Sequence, residues 1–315
     1  MHTIPLGRSG LAVPPIIFGC NVFGWTVDKA QAFKLLDALV EAGLNALDTA
    51  DMYSTWVPGH SGGESETIIG EWLKARGRRN DVLVLTKAGM NMPDKGIGLS
   101  AAYLTRAVED SLVRLGIETI DLYQAHLDDT VTPHEETLGA YQRMIAAGKV
   151  RAIGASNFSV ERFKGALAAS AAHGLPRYET MQPLYNLMER GVEAEMAPLC
   201  AAEGVGMIPY SSLASGFLSG KYRGEGDLGK SPRGARSAGK YLTERGHRVL
   251  AALDAVSARY RVTPAQVALA WFKGRPGMAA PIASVTSLAQ LAELVKAASL
   301  VLDAEAVQAL DRASA

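Results

Sequence analysis

The chain has 315 residues, 48% of them hydrophobic and 20% charged, a composition typical of a globular protein with a sizeable core. Basic and acidic residues balance at 32 each, which excludes a general attraction to nucleic acid or to an anionic membrane. The two cysteines, Cys20 and Cys200, supply neither a disulfide framework nor metal-ligand spacing, so we expect no metal and a reducing, cytoplasmic setting. We also expect no membrane partner, because no apolar run could span a bilayer and the first residues lack the apolar region of a secretory signal.

Short apolar runs alternate with longer helical patterns from the first strand onward. The run PPIIFG predicts a strand, and the helix after it has Asp28 as its N-cap. NALDT is the next strand, before a helix over 64–77, and DVLVLTK precedes a helix opened by Ser100. TIDLYQAH is the fourth strand. The helix after it is predicted to begin with a capping box formed by Thr132 and Glu135.

The second half of the chain continues the alternation. VRAIGAS and ETMQP predict strands, with a helix over 159–174 between them and another over 192–204 after them. The run VGMIPYS, 205–211, is the next strand, and a long loop rich in Gly, Lys and Arg follows over about 215–240. The remaining predicted elements are a helix over 244–260, a helix capped by Thr263, the strand AAPIAS, and helices over 287–299 and 303–313.

Eight β-α units occur with no break in composition, so residues 1–315 are predicted to form a single α/β domain. Strands that are short continuous apolar runs suit a parallel sheet covered on both faces, and eight units favour a (β/α)8 TIM barrel. A doubly wound open sheet is the alternative. It is disfavoured because no Gly-x-Gly-x-x-Gly pattern follows the first strand.

Three neighbouring strands each end in a titratable side chain, namely Asp48, Lys87 and His126, and Tyr53 follows just after the first. The C-terminal ends of barrel strands meet at one mouth, so these four groups are expected to converge. An ammonium stabilises a phenolate, a carboxylate would hold that ammonium, and an imidazole could donate a hydrogen bond to a substrate oxygen. The set suits protonation of an oxygen that becomes an alkoxide, as in carbonyl reduction.

A different interpretation exists for each of these residues taken singly. An aspartate at a strand end is more often a helix cap or a salt-bridge partner, and a lysine there is more often solvated. The recurrence of such groups at three strand ends favours a site.

Several stretches of the sequence are informative together: LDTADMYS, VLTKAG, DLYQAHLDD, GKVRAIGASNFS, QPLYNLM and PYSSLASGFLSGKY. In this order they resemble the aldo-keto reductase superfamily, and the resemblance covers essentially the whole chain. IPLGRSGLAVPPIIFGCNVFG also looks like that family's N-terminal β-hairpin and first strand. The resemblance implies a (β/α)8 barrel and an NAD(P)H-dependent oxidoreductase that interconverts alcohols with aldehydes or ketones, sugar-like ones included. It implies the catalytic tetrad Asp48, Tyr53, Lys87 and His126, with Tyr53 as general acid/base.

The resemblance also implies positions that bind the cofactor, among them Asp48. It places Ser156, Asn157 and Gln182 at the nicotinamide carboxamide, and Tyr210 against the nicotinamide ring, although a tyrosine at a strand end is also ordinary in a core. The further positions are Gly19, Cys20 and Asn21 near the nicotinamide, Ser211, Leu213, Ser215 and Gly216 around the pyrophosphate, Lys221 near the phosphates, and Arg236, with which Arg233 competes, on the adenine side.

The segment that leads into the helix predicted over 287–299 departs from the family's pattern. Ser284, Thr286 and Gln290 fall at positions for the adenosine phosphate, in a segment where the family often has Arg or Lys. Leu294 stands where the family has an Asn. A 2′-phosphate would lose a charge-assisted contact here. The family's usual cofactor, NADP(H), is still favoured over NAD(H), with NADH use left open.

The link after Tyr53, STWVPGHSGGESE, is longer than is usual in the family and lies beside the expected mouth. A Gly-rich surface excursion is one interpretation. The other is a loop that contacts substrate, which the closeness of Trp56 to Tyr53 favours. Trp25 is a second candidate wall of the substrate pocket, and Tyr53 and His126 would contact the substrate as well. His60 has no His or Cys nearby with which to bind a metal.

Two other functions are compatible with the same residues. Some proteins that resemble this family are cofactor-binding regulatory subunits of a membrane channel, with little turnover. A barrel lyase or isomerase would use Lys87 as a Schiff-base nucleophile, which Asp48 opposes because a carboxylate keeps the amine protonated. The partner expected in the leading interpretation is a small-molecule carbonyl compound or alcohol.

Overall fold

Ten strands form two sheets in the computed structural model, which describes residues 2–232 and 234–315 except for the side chains at 235 and 236. The first two strands, β1 and β2, pair as an antiparallel hairpin. The other eight are parallel and form one sheet. The strands are β1 Ile4–Pro5, β2 Ala12–Val13, β3 Ile17–Gly19, β4 Ala46–Asp48, β5 Leu83–Ala88, β6 Ile120–Ala125, β7 Val150–Ser156, β8 Tyr178–Gln182, β9 Gly206–Met207 and β10 Ile282–Ala283.

The parallel sheet is the wall of a (β/α)8 barrel, as the sequence predicted. Its strand order is β10-β3-β4-β5-β6-β7-β8-β9. The two ends of this sheet meet, which closes the barrel. Ile282 N, in β10, donates to Pro209 O, just after β9, at 2.9 Å, and Met207 in β9 forms a parallel β-bridge with Met278. A doubly wound sheet has open edges, so that alternative was wrong.

In the described part of the chain, ten α-helices accompany the strands, and they are labelled in chain order. Three predicted N-caps are confirmed: the side chains of Asp28, Ser100 and Thr263 each accept a hydrogen bond from a backbone N–H in the first turn of their helix. Within the described residues, none of these helices has both the length and the apolarity needed to cross a membrane. The helices are α1 Lys29–Glu41, α2 Glu64–Arg76, α3 Ala101–Leu115, α4 His134–Ala146, α5 Val160–His173, α6 Met196–Glu203, α7 Glu244–Tyr260, α8 Pro264–Ala270, α9 Leu288–Ser299 and α10 Ala304–Ser314.

The capping box predicted for α4 was wrong. The N-cap is Pro133, and it makes no side-chain cap hydrogen bond. Thr132 Oγ1 instead donates to Asp129 Oδ2 at 2.6 Å, and the same oxygen accepts from Leu99 N at 2.7 Å. Burial opposes ionisation of Asp129, but these hydrogen bonds outweigh it and lower the pKa of that carboxyl to about 2. The Thr132 hydroxyl is therefore bonded to Asp129, which also bonds the loop at Leu99, and it does not cap α4.

Three predictions in the second half also differ from the structure. The helix expected over 192–204 is a 3-10 turn, Gly191–Glu193, followed by the shorter α6. The strand expected over 205–211 ends at Met207. The expected loop at 215–240 consists of short helical turns, because local hydrogen bonds satisfy a backbone too rich in glycine for a long helix. These turns are Ala214–Ser219, Glu225–Lys230, Gly234–Ala238 and Gly239–Tyr241.

The hairpin covers the N-terminal end of the barrel. Leu6, Leu11 and Val13 are buried in one cluster with interior residues of the strands, including Leu85 and Leu122. Its turn is held against β8, where Arg8 N donates to Glu179 Oε2 at 2.9 Å. Gly7 has a φ of +60°, and a Cβ there would lie 2.2 Å from Glu179 O, so only glycine fits. The C-terminal end of the barrel is consequently the open mouth.

Candidate active site

The predicted tetrad residues lie together at the C-terminal mouth of the barrel. Asp48 is the last residue of β4, Lys87 is the next-to-last residue of β5, and His126 directly follows β6. Their side chains are buried, and Tyr53 is half-buried in the turn after β4. The parallel register places neighbouring strand ends at one level, which is why residues far apart in sequence meet here.

Asp48 and Lys87 form a buried ion pair. Lys87 Nζ lies 2.8 Å from Asp48 Oδ2, and the side chains are 0% and 2% exposed. Lys87 Nζ also donates to Thr49 O at 2.7 Å. Removing two charges from water is unfavourable unless the geometry and the remaining hydrogen bonds compensate, and here both charges have close partners. The lysine is thus held as an ammonium at a fixed position.

Tyr53 lies directly against this pair. Its hydroxyl donates to Asp48 Oδ2 at 3.4 Å, and Lys87 Nζ is 4.9 Å from the centre of its ring. The ring centre is 6.1 Å from that of His126, in an edge-to-face arrangement. The phenol is therefore placed where an ammonium can stabilise the charge that remains after it gives up a proton.

His126 is neutral in this environment. Burial first, and the nearby charge of Lys87 second, hold the pKa of its imidazole well below the ordinary value. Its Nδ1 atom is buried and has no hydrogen-bond partner among the described residues. A neutral imidazole with an unused ring nitrogen can offer one hydrogen bond to a ligand at the mouth.

Two glutamines hold the other oxygen of Asp48. Gln182, at the end of β8, donates from Nε2 to Asp48 Oδ1 at 2.9 Å and to Gln124 Oε1 at 3.3 Å. Gln124 Nε2 lies 3.5 Å from the same carboxylate oxygen, on the strand position paired with Lys87. Gln124 was not among the residues predicted for the site. An amide inside the apolar run IDLYQAH was the available signal, because a buried amide needs partners.

A second set of hydrogen bonds connects the ends of β6, β7 and β8. Ser156 Oγ donates to Gln182 O at 2.8 Å, and Asn157 Nδ2 donates to His126 O at 3.0 Å. Tyr210 OH donates to Asn157 Oδ1 at 2.9 Å. The structure thus places Ser156, Asn157, Gln182 and Tyr210 beside the tetrad, with the Tyr210 ring at the surface of the mouth rather than in the core.

Backbone strain is concentrated near the positions predicted to bind the cofactor. Asn157, Ser211 and Ser215 have φ values of +61°, +58° and +56°, which non-glycine residues seldom adopt. Gly216 continues the turn with φ +89°, and Lys221 Nζ would lie 3.3 Å from a Cβ at that position. Strained backbone that persists in a folded protein often marks a ligand site, and here it places a basic side chain over the turn.

The remaining predicted cofactor positions form two smaller groups. Ser284 Oγ donates to Asn21 Oδ1 at 2.7 Å beside Gly19, so the ends of β3 and β10 meet. Thr286 N donates to Gln290 Oε1 at 2.9 Å at the start of α9. Cys20 is fully buried, Leu213 is half-buried and packs on the core, and the predictions for Arg236 and Arg233 lie outside the described side chains.

Aromatic rings form one side of the mouth. The ring centres of Trp25 and Trp56 are 5.7 Å apart, and that of Trp56 is 6.0 Å from Tyr53. Ser54, with φ +78°, anchors the loop by donating from Oγ to Phe23 O at 2.8 Å. The loop after Tyr53 is thus folded back against the segment that carries Trp25. His60 lies on it, and no cluster of potential metal ligands occurs in the described part of the chain.

Comparisons with known proteins agree on one family. The model of the Aldo/keto reductase family matches residues 15–315. An uncharacterized oxidoreductase of Bacillus subtilis, YrpG, is 34% identical over 314 residues, covering 97% of this chain and 94% of the relative. A probable voltage-gated potassium channel subunit beta of Oryza sativa is 34% identical over 94% of this chain and 90% of its own. Versiconal hemiacetal acetate reductase of Aspergillus parasiticus is 29% identical, over 99% and 96%.

Proposed function

The chain belongs to the aldo/keto reductase family and is an oxidoreductase of carbonyl compounds and alcohols, and we propose that it uses NADP(H) with Tyr53 as its general acid/base. The observation that carries the proposal is the contact of the Tyr53 hydroxyl and ring with the buried Asp48–Lys87 pair. A tyrosine so placed has a fixed positive charge beside it and an unprotonated acceptor at its hydroxyl.

The residues around the mouth fit a nicotinamide cofactor. Gln182 uses its Nε2 to hold Asp48, and its amide also carries an oxygen that can accept a hydrogen bond from a carboxamide. Asn157 and Ser156 present further polar groups at the same level, and Tyr210 offers a ring beside them. When bound, the reduced nicotinamide supplies a hydride to a carbonyl carbon, and the oxidised form accepts one from an alcohol.

The protein's own contribution is to place and move a proton. In the reduction direction, Tyr53 gives its hydroxyl proton to the carbonyl oxygen as that oxygen gains charge. Lys87 stabilises the phenolate that remains, and Asp48 keeps Lys87 charged and in place. The neutral imidazole of His126 donates a hydrogen bond to the same substrate oxygen, which stabilises the developing charge in a site largely closed to water.

Two alternatives receive less support. A Schiff-base nucleophile needs a free lone pair, whereas Lys87 Nζ donates to both Asp48 and Thr49 and is not exposed. The name of the rice relative concerns a channel subunit, and that relative is as similar as the bacterial oxidoreductase. A complete tetrad is what an enzyme needs, and a subunit with little turnover does not need it, so the enzyme is favoured.

The preference for NADP(H) rests on the usual cofactor of the family, and Lys221, over the strained turn at Gly216, supports phosphate binding without distinguishing the two cofactors. Against it, Ser284, Thr286 and Gln290 supply hydroxyl and amide groups and no positive charge. A thermal-shift comparison tests the preference directly. NADPH is expected to raise the melting temperature more than NADH at equal concentration, because a ligand that binds the folded state more tightly stabilises it more. An equal or larger shift with NADH would assign the other cofactor.

The role of Tyr53 is tested by Tyr53→Phe, which removes the proton donor and keeps the ring. We expect reduction of an unactivated aldehyde to fall at least about 100-fold, with the NADPH dissociation constant nearly unchanged. Tyr260→Phe is the matched control, because that hydroxyl bonds only to Asp303 among the described residues, accepting from its N–H at 2.9 Å and bonding its carboxylate, and the variant should keep full activity. A Tyr53→Phe variant with near-normal kcat would refute the assignment.

A further inference from the structure

A second cavity, outside the barrel, has a buried carboxyl group at its floor. The cavity has a volume of about 420 Å³ and lies between the segment after β5 and helix α3. Four of its lining residues are buried and form its floor: Asp51, Met92, Tyr103 and Ala107. Its rim is charged and more exposed. The mouth of the active site is lined by other residues.

Asp51 has no use in the active site, and one of its two carboxyl oxygens has no partner among the described residues. The residue is 2% exposed, and its Oδ1 is buried without a hydrogen-bond partner among the described residues. The two cations whose charges act on Asp51 form ion pairs with other carboxylates, although Arg114 also lines the cavity. Arg114 Nε lies 2.7 Å from Glu66 Oε2, and Lys87 is paired with Asp48. A buried carboxyl group without a partner is unfavourable unless it is protonated or binds something.

The surroundings of Asp51 lack one positive charge. Glu66, from α2, is fully buried, pairs with Arg114 and accepts a hydrogen bond from Thr86 Oγ1 at 2.6 Å. One arginine therefore stands against the two buried carboxyl groups of Glu66 and Asp51, because Lys87 is paired with Asp48. Burial first, and the charge of Glu66 second, raise the pKa of Asp51 to about 8, although Arg114, Lys87 and the N–H of Met52 act in the opposite direction. At neutral pH a proton therefore occupies the place of the missing charge.

The other groups that face Asp51 are neutral phenols. Tyr103 on α3, Tyr123 on β6 and Tyr141 on α4 all have a pKa raised by burial, with Asp51 as a further cause. The hydroxyls of Tyr123 and Tyr141 are buried and lack hydrogen-bond partners among the described residues. None of these phenols can supply the charge. Of the three, only Tyr103 lines the cavity, and its hydroxyl can accept a hydrogen bond from a ligand that carries the charge.

We propose that this cavity binds a small organic ammonium ion, whose positive charge takes the place of the proton on Asp51. The floor suits such a ligand, because the Met92 side chain and the Tyr103 ring offer an apolar and aromatic surface for its carbon stem. The lining also carries charged groups of both signs, and two of its three cations are already paired: Lys95 with Asp110 at 2.6 Å and Arg114 with Glu66 at 2.7 Å. The charged residues other than Asp51 are Asp94, Glu109 and Asp110 against Lys95, Arg106 and Arg114.

The site adjoins the catalytic machinery without being part of it. Asp51 N donates to Lys87 O at 3.0 Å, and Asp51 precedes Tyr53 by two residues. An ammonium bound here would therefore lie next to the strand end that carries the catalytic lysine. Binding of one ammonium ion releases one proton from the Asp51 carboxyl group to solvent. No other covalent bond forms or breaks.

Titration calorimetry with n-butylammonium chloride on the full chain tests the proposal. In two buffers of different ionisation enthalpy, neither of them an amine, we expect saturable binding at about pH 7 with release of about one proton per ligand. At about pH 9.5, where Asp51 is already ionised, the release should fall towards zero while binding persists. 1-Butanol and sodium butyrate, which share the stem and lack the positive charge, should bind at least about tenfold more weakly.

Variants separate Asp51 from the rim. Asp51→Asn keeps the size and neutrality of the protonated group, so it should fold, and it should remove the proton release and weaken butylammonium at least about tenfold. Asp94→Asn is the matched control at the rim and should keep the proton release. Absence of saturable binding, binding without proton release by the unaltered chain at about pH 7, or tighter binding of butyrate would each overturn the proposal. The pH dependence of the unaltered chain decides the matter even if Asp51→Asn does not fold.

Discussion

The buried Asp48–Lys87 pair permits a quantitative test by a double-mutant cycle. The ammonium of Lys87 is 0% exposed and lies 2.8 Å from its only carboxylate partner among the described residues. Asp48→Asn removes that negative charge and leaves the ammonium buried with the Thr49 carbonyl as its remaining close partner. Removing one member of a buried ion pair typically destabilises a protein by about 3–5 kcal/mol, and we expect a loss of that size.

The reciprocal change, Lys87→Met, leaves Asp48 charged but still bonded to the amide of Gln182 at 2.9 Å. We expect a loss towards the lower end, about 3 kcal/mol, because a charged acceptor with hydrogen bonds is partly compensated. The double variant has no unpaired charge. It should therefore be about as stable as the better single variant, so the coupling energy equals in size the loss in the other single variant, about 3–5 kcal/mol.

The assay is urea-induced unfolding of the four proteins without cofactor, at one pH near neutrality, with stability taken by linear extrapolation. Turnover should be lost in all three variants and is not the readout, since each lacks a member of the tetrad. Losses that add within about 0.5 kcal/mol would refute the reasoning, because they would mean that the two charges do not stabilise each other in the folded chain.

Three further predictions concern the mouth and the second cavity. Trp56→Ala should raise KM for a bulky aromatic aldehyde far more than for a small aliphatic one, because the indole lies 6.0 Å from the Tyr53 ring and on one side of the mouth; equal effects would place it outside the substrate pocket. Tyr210→Ala should weaken NADPH binding by about 0.5–1.5 kcal/mol plus lost burial, whereas Tyr210→Phe, which keeps the ring and loses the Asn157 hydrogen bond, should retain most of the affinity; unchanged binding in the Ala variant would remove the stacking role. The pKa of Asp51 in the folded state is raised to about 8, so its contribution to stability is complete below about pH 4 and is lost as the pH rises through about 8. Between those pH values, Asp51→Asn should therefore gain stability relative to the unaltered chain. Parallel curves of unfolding free energy against pH would contradict the raised pKa.

Much of the fold could be predicted because its signals are local. Apolar runs gave the positions of the strands, and the caps Asp28 and Thr263 act within a few residues of themselves. The position of the tetrad also followed, since Asp48, Lys87 and His126 each stand at a strand end and barrel topology brings strand ends together.

The errors arose where a distant residue decided the outcome. Thr132 has an ordinary capping sequence, but Asp129 also accepts from Leu99 N, 30 residues away, and no local pattern ranks that contact above a capping box. Gln124 was overlooked because its partners, Asp48 and Gln182, lie 76 and 58 residues away. Asp51 is a similar case, because its Oδ1 has no partner among the described residues while Arg114, from helix α3, pairs with Glu66 of helix α2.

The hairpin at the N-terminal end of the barrel has a kinetic consequence. Leu6, Leu11 and Val13 close that end, so both the cofactor and the substrate must enter and leave through the C-terminal mouth of the barrel. A dinucleotide laid across the mouth from Tyr210 to Lys221 would leave only the side near Trp25 and Trp56 for the other reactant. Binding should then be ordered, with the dinucleotide binding first and dissociating last. A bound alcohol product should slow the dissociation of the oxidised dinucleotide, because it lies across the way out of the mouth.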